Sequence, residues 1–547
     1  MPSFSAYEFN TQSQYQLQQA RSREISLKDF SGGLNNFWDP SSIGQTEVPY
    51  LINMEFTPTG ALTSRPAVVE STLPAIPTQY VSGSSGPKHN IEILGYFNAT
   101  DEVRWLVAAV GTKTYILNID DATPTWTEIW DHRATGFVQY AYEIVLCKAT
   151  TGGLRYNPAT STATVIATMP ALDGLVIFRE RFFGWGVADT TKNTEMHWSD
   201  LTAIGTGSSV WDWNIDSVTQ VGYGDGSGIS RIVPDYSNLW IFKDGSTYSY
   251  TFSDLPEEGT LSLVQKGIGA ENKYCVTPYQ NGYVVFDDTT VYKFLNGQFT
   301  PLNAQKIRFK DANLPEDTDL LFPHAVSIFG DRAIVFFYGS LYVLNLLTGT
   351  WSQWQSVTNV AYFAQTPPGP NHLQYDWAFV ATADTSLTAP KLYRIEDQPV
   401  ASTGSETFTC HMRTRIYDFE TPAEWKRLYW WAIDLAADGD VTATVTAIAA
   451  SATARSWDQI STTTWDVLDT RTWDRILSED AYVTTVRTLN EGVPQRSLLK
   501  LEHSIRFRRA YFEVYFTCDG TAETSPAQIF SITPMVGVKA KMTKGVA

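Results

Sequence analysis

Cysteine is scarce in this sequence, and its four cysteines, Cys147, Cys275, Cys410 and Cys518, lie far apart. No Cys-x-x-Cys spacing occurs, which argues against a zinc knuckle and against a dense disulfide framework. Because folded proteins often bury cysteine, we expect four buried free thiols. This use of cysteine fits assembly in a reducing cytoplasm.

Long hydrophobic runs are also missing. No segment reaches the ~18 consecutive apolar residues that a membrane-spanning helix needs. The first twenty residues contain neither Lys nor Arg and no apolar core, so a secretory signal peptide is not predicted. We expect a protein that is soluble or part of a soluble assembly.

Basic residues are outnumbered, 40 Lys and Arg against 58 Asp and Glu, which gives a formal net charge of -18. Charged residues make up only 18% of the chain, so the composition indicates a folded acidic protein rather than a disordered acidic tail. Tight binding to a phosphate backbone needs patches of Lys and Arg. The charge therefore argues against a protein that grips nucleic acid.

Motifs for catalysis are absent from the sequence. The seven histidines show no His-x-x-x-His spacing, and neither a Gly-x-Ser-x-Gly motif nor a sialidase Asp box occurs. The glycine-rich stretch at 222–228 lacks the Lys-Ser or Lys-Thr of a phosphate loop, so it predicts a flexible turn. The acid pairs Asp120 with Asp121 and Asp287 with Asp288 fall in predicted hairpin turns, where Asp bonds to local backbone. We expect no enzyme activity, no cofactor and no metal ion, although a site assembled from distant loops would escape this search.

One β-hairpin is written twice in the sequence. Tyr115 begins a strand that leads through a polar turn to Trp126, and Tyr342 begins a matching strand that leads to Trp351. Alternating apolar residues bounded by Gly, Pro and Asp are typical of paired strands. The copies are 227 positions apart. At roughly 40 to 50 residues per propeller blade, that gap holds about five blades.

The strand clusters predict an all-β protein: a β-propeller followed by a C-terminal β-sandwich domain. Seven clusters can be counted between residues 91 and 397, so we expect about seven blades, with six and eight as alternatives. A strand from residues around 50 to 70 is expected to close the ring. The predicted boundaries are 1–24 for an N-terminal arm, 25–400 for the propeller and 401–547 for the sandwich.

A Trp-Asp pair recurs three times at a spacing of eight, at Trp457, Trp465 and Trp473. Repeated indoles offer flat apolar area with a polar edge, which suits a surface for sugars or for a protein partner. The alternative is a structural ladder in which each indole fills the same position in successive turns. These three residues are the candidate interaction surface of the sequence.

Several short motifs follow one another along the chain: Asp29-Phe30-Ser31-Gly32-Gly33-Leu34, Asn53, Gly60-Ala61-Leu62, Arg65-Pro66, Glu180-Arg181-Phe182-Phe183-Gly184, His197-Trp198-Ser199-Asp200, Trp211, Leu239-Trp240-Ile241-Phe242, Lys243-Asp244-Gly245, Gly267-Ile268-Gly269-Ala270 and Asn281-Gly282-Tyr283-Val284-Val285-Phe286. In this order they resemble bacteriophage tail proteins built on a β-propeller, most of all the tail nozzle (tail tubular or tail hub) of short-tailed phages. The resemblance covers about residues 27 to 300, and more loosely the C-terminal part.

The resemblance implies a structural protein of the virion tail, synthesised in the host cytoplasm. Its copies would form a ring, usually a hexamer, below the portal and adaptor proteins, and would hold tail fibres or spikes. Viral DNA would pass through the ring without specific binding, with acidic groups repelling its phosphates. The resemblance identifies no catalytic residues.

Two alternatives stay open at this point. The chain could be a minor tail or receptor-binding protein that contacts host glycans through its loops or the Trp-Asp region, since that repeat is also similar to those of long-tailed phages. An enzyme that degrades surface polysaccharide is the third hypothesis.

Overall fold

The computed structural model of this 547-residue chain is built from β-strands. Among the residues it describes, the only helical element is a 3-10 turn at Pro256–Glu258, and no helix is long and apolar enough to cross a membrane. The described residues are 22–24, 26–57, 60–71, 73–77, 91–100, 103–186, 193–201, 209–222, 224–225, 227–287, 289–302, 306–307, 324–337, 340–355, 360–365, 378–382, 392–396, 407–419, 426–436, 440–448, 479–488, 496–507, 509–519 and 528–538.

Seven short strands precede the first blade of the propeller. They are β1 (Ser22–Glu24), β2 (Gly33–Leu34), β3 (Glu47–Val48), β4 (Tyr50–Ile52), β5 (Met54–Phe56), β6 (Leu62–Ser64) and β7 (Ala67–Glu70).

The next 27 strands form the blades, in chain order. Blade 1 contains β8 (Ile91–Thr100), β9 (Val103–Val110), β10 (Lys113–Asn118) and β11 (Trp126–Trp130); blade 2 contains β12 (Gly136–Tyr140), β13 (Glu143–Cys147), β14 (Gly153–Asn157) and β15 (Thr162–Ile166). Blade 3 contains β16 (Gly174–Phe178), β17 (Arg181–Trp185), β18 (Glu195–Ser199) and β19 (Trp213–Gln220); blade 4 contains β20 (Ile229–Pro234), β21 (Leu239–Lys243), β22 (Ser246–Thr251) and β23 (Thr260–Lys266). Blade 5 contains β24 (Val276–Tyr279), β25 (Gly282–Asp287), β26 (Thr290–Leu295) and β27 (Gln298–Pro301); blade 6 contains β28 (Ala325–Phe329), β29 (Arg332–Phe337), β30 (Ser340–Asn345) and β31 (Thr350–Trp354); blade 7 contains β32 (Val360–Gln365), β33 (Ala378–Thr382) and β34 (Leu392–Glu396).

The predicted β-propeller is confirmed, and the strands in the described part of the chain form seven blades. Each blade is an antiparallel sheet of four strands, and in blades 1 to 6 the four strands are consecutive in the chain. The first strand β8 of blade 1 contacts the first strands of blades 2 and 7, so the ring is closed. Both copies of the repeated hairpin occupy the third and fourth strands of their blades, which are blades 1 and 6. Their separation is therefore five blades, as the spacing predicts.

The fourth strand of blade 7 comes from the N-terminal part of the chain. Strand β7 pairs antiparallel with β34, with Val68 opposite Ile395. The closing strand predicted near residues 50 to 70 is thus confirmed. Closure in this way gives blade 7 the four strands of the other blades and joins the N-terminal part of the chain to the last blade.

Seven longer strands follow the propeller: β35 (Thr407–Arg413), β36 (Lys426–Ala436), β37 (Asp440–Ile448), β38 (Glu479–Thr488), β39 (Arg496–Phe507), β40 (Arg509–Asp519) and β41 (Gln528–Val538). One sheet has the order β39-β36-β41-β6-β5, with β1 also paired to β41. In the other sheet, β4-β35-β40-β37-β38 continue directly from blade 6, because β4 pairs with both β31 and β35.

These two sheets form the C-terminal sandwich. Trp431 of the first sheet packs on Phe512 of the second, with ring centroids 5.1 Å apart, and both side chains are buried. The same hydrophobic cluster extends through the N-terminal segment into blades 4, 5 and 6. The boundaries at residues 24 and 400 stay predictions. Two of the N-terminal strands, β4 and β6, pair with the C-terminal strands β35 and β41.

The antiparallel order of every blade defines two faces of the ring. Turns between first and second strands, and between third and fourth strands, lie at one end of the blades. We call this end the turn face. Turns between second and third strands, and the connections from one blade to the next, lie at the opposite end, which we call the connection face.

Candidate functional site

Charged side chains meet on the axis of the propeller at the connection face. Glu92 is the second residue of β8, and Thr135, Asp173 and Lys273 lie just before the first strands of blades 2, 3 and 5. Lys273 Nζ donates to Glu92 Oε1 at 2.5 Å, to the Thr135 carbonyl at 2.8 Å and to Asp173 Oδ1 at 3.1 Å. Lys273 precedes blade 5, and its ammonium group is therefore bonded to the starts of blades 1, 2 and 3.

We call Glu92, Thr135, Asp173, Lys273 and the residues bonded to them the axial network. Further hydrogen bonds and ion pairs extend it to six blades. Arg133 pairs with Glu92, and the Tyr274 hydroxyl donates to the Glu92 carbonyl. In blade 4, Arg231 Nη1 donates to the Lys273 carbonyl at 2.5 Å. Before blade 6, His324 Nδ1 lies 2.5 Å from Glu271 Oε2. Because Lys273 reaches across the ring to Glu92, the side chains of the network occupy this end of the central channel.

The pKa shifts within the network follow from burial and pairing. Burial alone would raise the pKa of Glu92, but the charges of Lys273 and Arg133 outweigh it and hold that pKa below 4.5. For Lys273, the carboxylates of Asp173 and Glu92 outweigh burial and raise the pKa. The pKa of Asp173 is raised, because burial and the negative charge of Glu92 together outweigh the positive charge of Lys273. The network is therefore tied together by ionised Glu92 and Lys273.

A second polar centre joins the propeller to the sandwich and contains two residues of the phage-like motifs, Asn53 and Arg65. Asn53 adopts a left-handed backbone conformation with φ of 56°, which Asn tolerates better than most residues. Its Nδ2 donates to the Thr409 carbonyl at 2.9 Å, while its Oδ1 accepts from the Gln355 backbone at 2.7 Å and from Arg65 Nε at 2.9 Å. One amide thus bonds to the end of blade 6, to β35 and to Arg65.

Arg65 completes this junction and is only 3% exposed. Its guanidinium carbon lies 4.0 Å from the ring centroid of Phe408 in the sandwich and 5.7 Å from that of Trp354 in blade 6. A planar guanidinium can stack on aromatic rings and donate hydrogen bonds in its own plane, which an ammonium cannot do. Arg65 therefore fits a position between two domains.

Gly33 of the Gly-Gly turn lies against the outer strand of blade 6. Its φ is 80°, and a Cβ at this position would be 3.0 Å from the backbone nitrogen of Trp351. Glycine is required by this conformation and by the close approach of the two backbones. Three residues of the motifs that carry the resemblance, Gly33, Asn53 and Arg65, thus belong to a structural joint.

The described residues of the glycine-rich stretch, 222, 224–225 and 227–228, lie in turns and irregular backbone and are anchored by a buried lysine. Lys243 Nζ donates to the carbonyls of Val221 and Gly222 at 3.0 and 3.2 Å, and to Asp225 Oδ1 at 2.5 Å. The side chain of Lys243 is completely buried. Two of its partners, Gly222 and Asp225, belong to the stretch and the third directly precedes it, so this cation holds the loop in place.

The other predicted site residues have separate outcomes. Asp120 bonds to Arg104 at 2.6 Å and Asp121 accepts from the Thr123 backbone at 3.2 Å, so this pair forms an exposed turn. Asp288, Trp457, Trp465 and Trp473 lie outside the described residues, and the proposed interaction surface stays a prediction.

In the described part of the chain, Cys147, Cys275 and Cys410 are buried free thiols, and burial raises the pKa of Cys147 to about 12. Within the same residues, no cluster of three His, Cys, Asp or Glu side chains could hold a metal ion.

The sequence does not predict that the residues of the axial network, or those of the Asn53 and Arg65 junction, come together. Glu92 and Lys273 are 181 positions apart and lie at the starts of different blades. Only the motif residues Asn53 and Arg65 carried a signal, because they belong to the ordered set that resembles phage tail proteins.

No protein-family model matches this chain, and no curated protein matches it in sequence. Solved structures with a similar fold include the WD40 domain of Neurospora crassa Pan2, at 13% identity, a TM-score of 0.39 and coverage of 63% of this chain and 98% of that one. A chain of the Mitotic Checkpoint Complex has 14% identity and a TM-score of 0.38, covering 63% and 97%. The computationally designed Ika8 protein has 11% identity and a TM-score of 0.36, covering 63% and 96%. Likeness at this level says nothing about function, and the propeller is established by the strand pairings.

Proposed function

We propose that this chain is a structural protein of a virion tail, a nozzle subunit whose copies form a ring around the path of DNA exit. The Asn53 and Arg65 junction is the observation that carries the proposal. Asn53 and Arg65, two of the residues that resemble phage tail propellers, fix the propeller to the sandwich. In a wall that must withstand pressure, a rigid joint between two domains is what the chain needs at this position.

Two further features support a structural role. The axial network fills one end of the propeller's own channel, so DNA would pass between subunits and not through a propeller. The formal charge of -18 per chain gives a ring of such subunits a strongly negative potential. A negative wall repels DNA phosphates and does not retard their passage.

Imaging of the assembled particle tests this function. Electron cryomicroscopy with the chain located by antibody labelling should show a ring of copies, sixfold in the simplest case, below the adaptor, with acidic side chains toward the bore. A single copy per particle, or a ring whose bore is lined by Lys and Arg, would contradict the proposal.

A further inference from the structure

Six turns of blades 4, 5 and 6 form one sector of the turn face, and all their residues are described. They are residues 235–238 and 252–259 of blade 4, 280–281 and 296–297 of blade 5, and 330–331 and 346–349 of blade 6. Because the blades are consecutive in the ring, these turns are neighbours. We call them the blade 4–6 sector.

Large apolar side chains project into solvent from this sector. Tyr236 is 99% exposed, Leu347 is 71% exposed and Leu255 is 48% exposed, while Leu295, the last residue before the blade 5 turn, is 37% exposed. An isolated exposed leucine is ordinary, but a group on neighbouring turns of one face is typical of an interaction site.

The turns of this sector carry an excess of negative charge, and one cation from the neighbouring blade 3, Arg179, donates to the Phe252 and Ser253 carbonyls at the start of a blade 4 turn. The sector's turns contain Asp235, Asp254, Glu257, Glu258 and Asp331, and no Lys or Arg. All but Asp235 are solvent-exposed. A surface that combines apolar anchors with an excess of carboxylates is complementary to a partner with apolar side chains and positive charge.

The blade 4 turns are held in place before any partner binds. Asp235 accepts from the Tyr236 backbone at 2.7 Å and from Trp240 Nε1 at 3.0 Å. Glu257 accepts from Trp198 Nε1 at 3.2 Å, and the Tyr250 hydroxyl donates to the Pro256 carbonyl. A surface ordered in advance loses less conformational entropy on binding.

From these features we infer that the blade 4–6 sector binds a cationic polypeptide segment of a partner protein, with Lys or Arg interspersed among apolar residues. A second copy docked by the same sector would place carboxylates against carboxylates. Anionic lipid and DNA would be repelled in the same way, and exposed Tyr and Leu side chains serve no purpose on a surface that only repels DNA. The inference stands independently of the proposed tail function.

A binding assay with the whole purified chain tests this inference. The probe is a fluorescent peptide of alternating Lys and Leu, measured by anisotropy beside a Lys-Ser peptide and a Glu-Leu peptide. Only the Lys-Leu peptide should bind tightly. Its affinity should fall as salt shortens the Debye length from about 30 Å at 0.01 M to about 8 Å at 0.15 M.

Two sets of substitutions locate the site. Tyr236→Ser, Leu255→Ser and Leu347→Ser together remove the anchors, and Asp254→Lys, Glu258→Lys and Asp331→Lys together reverse the charge. Each set should weaken binding of the Lys-Leu peptide by about tenfold or more. The matched control, Val165→Ser with Leu263→Ser, changes exposed apolar residues on the outer strands of blades 2 and 4 and should leave the affinity within about twofold.

Circular dichroism and the melting temperature verify that each variant is folded. Equal affinity of all folded variants would overturn the inference, as would equal binding of the Lys-Ser peptide. A third contradicting result is self-association of the wild-type chain in analytical ultracentrifugation that the anchor substitutions abolish, because the occupant would then be a second copy. None of these results depends on the copy number in a particle, so this test and that of the tail function can fail separately.

Discussion

The two faces of the propeller carry charge in different arrangements. The described turns of the turn face contain ten carboxylates and one guanidinium: Asp120, Asp121, Glu180, Asp200, Asp212, Asp235, Asp254, Glu257, Glu258 and Asp331, with Arg179. The described connections of the other face contain five carboxylates and four Lys or Arg: Asp131, Asp173, Asp225, Asp244 and Glu271, with Arg133, Lys148, Lys273 and Lys306.

Burial explains the difference. On the connection face the side chain of Lys273 is 14% exposed and that of Glu92 is 19% exposed, so an unpaired charge there would lose much of its hydration. Charges at such positions must occur with partners. On the turn face most carboxylates are in water, which permits an excess of one sign at little cost in stability. One face therefore uses charge to hold the ring, and the other is free to use it for recognition.

The strongest test of this contrast is Lys273→Met, which keeps the side chain's length and removes its charge. Glu92 and Asp173 would be left half-buried with less compensation, so we expect a loss of about 3 kcal/mol in the free energy of unfolding. Urea unfolding followed by tryptophan fluorescence measures it. A change below about 0.5 kcal/mol, the range of ordinary surface substitutions, would contradict a structural role for the network.

A smaller effect, with a defined pH dependence, is expected for Glu92→Gln. At neutral pH the variant should be about 2 kcal/mol less stable, because a charged hydrogen bond to Lys273 is lost while Asp173 remains. The folded-state pKa of Glu92 lies below 4.5, so its stabilising contribution is present above that pH and disappears as the pH falls through the folded-state value.

The stability difference between wild type and Glu92→Gln should therefore shrink in acid. Unfolding measured across that pH range checks the sign. The matched variant Glu258→Gln on the turn face should show no such convergence, and a difference that grew in acid would assign the opposite pKa shift to Glu92.

The smallest effect is expected for Leu347→Ala in a turn of blade 6, with the buried Leu344→Ala as its contrasting control. Leu347→Ala, in a side chain that is 71% exposed, should change stability by less than about 0.5 kcal/mol. Leu344→Ala, three residues earlier and 1% exposed, should cost about 2 to 5 kcal/mol because it leaves a cavity. Thermal melting of the two variants compares them. Equal losses would mean that Leu347 is part of the core and not of a recognition surface.

Much of the propeller could be predicted from sequence because its pattern is local. Tyr115 and Tyr342 are 7% and 8% exposed, and Trp351 is completely buried, as expected for core positions in a repeated sheet. The sandwich was harder to predict. Its edge strand β39 alternates Leu with Lys, Glu and Arg, and Leu498 of that strand is 69% exposed, so the strand lacks the apolar pattern of a buried one.

The axial network could not be predicted, for a different physical reason. Its members come from separate connections, and no spacing in the sequence relates Glu92, Thr135, Asp173 and Lys273. They meet only because a closed ring brings the starts of all first strands to one axis. Prediction of such a site requires the closed ring itself.

The pairing of β7 with β34 has a consequence for how the chain folds during synthesis. Val68 cannot meet Ile395 until more than three hundred later residues have been made, and β6 must wait still longer for β41. The entropy of closing such long loops grows only logarithmically with length, so the finished ring loses little stability. The delay is kinetic, because contacts this distant in sequence form late. A ribosome stalled within blade 7 would release a chain with two unpaired sheet edges, and such chains are the ones most prone to aggregate.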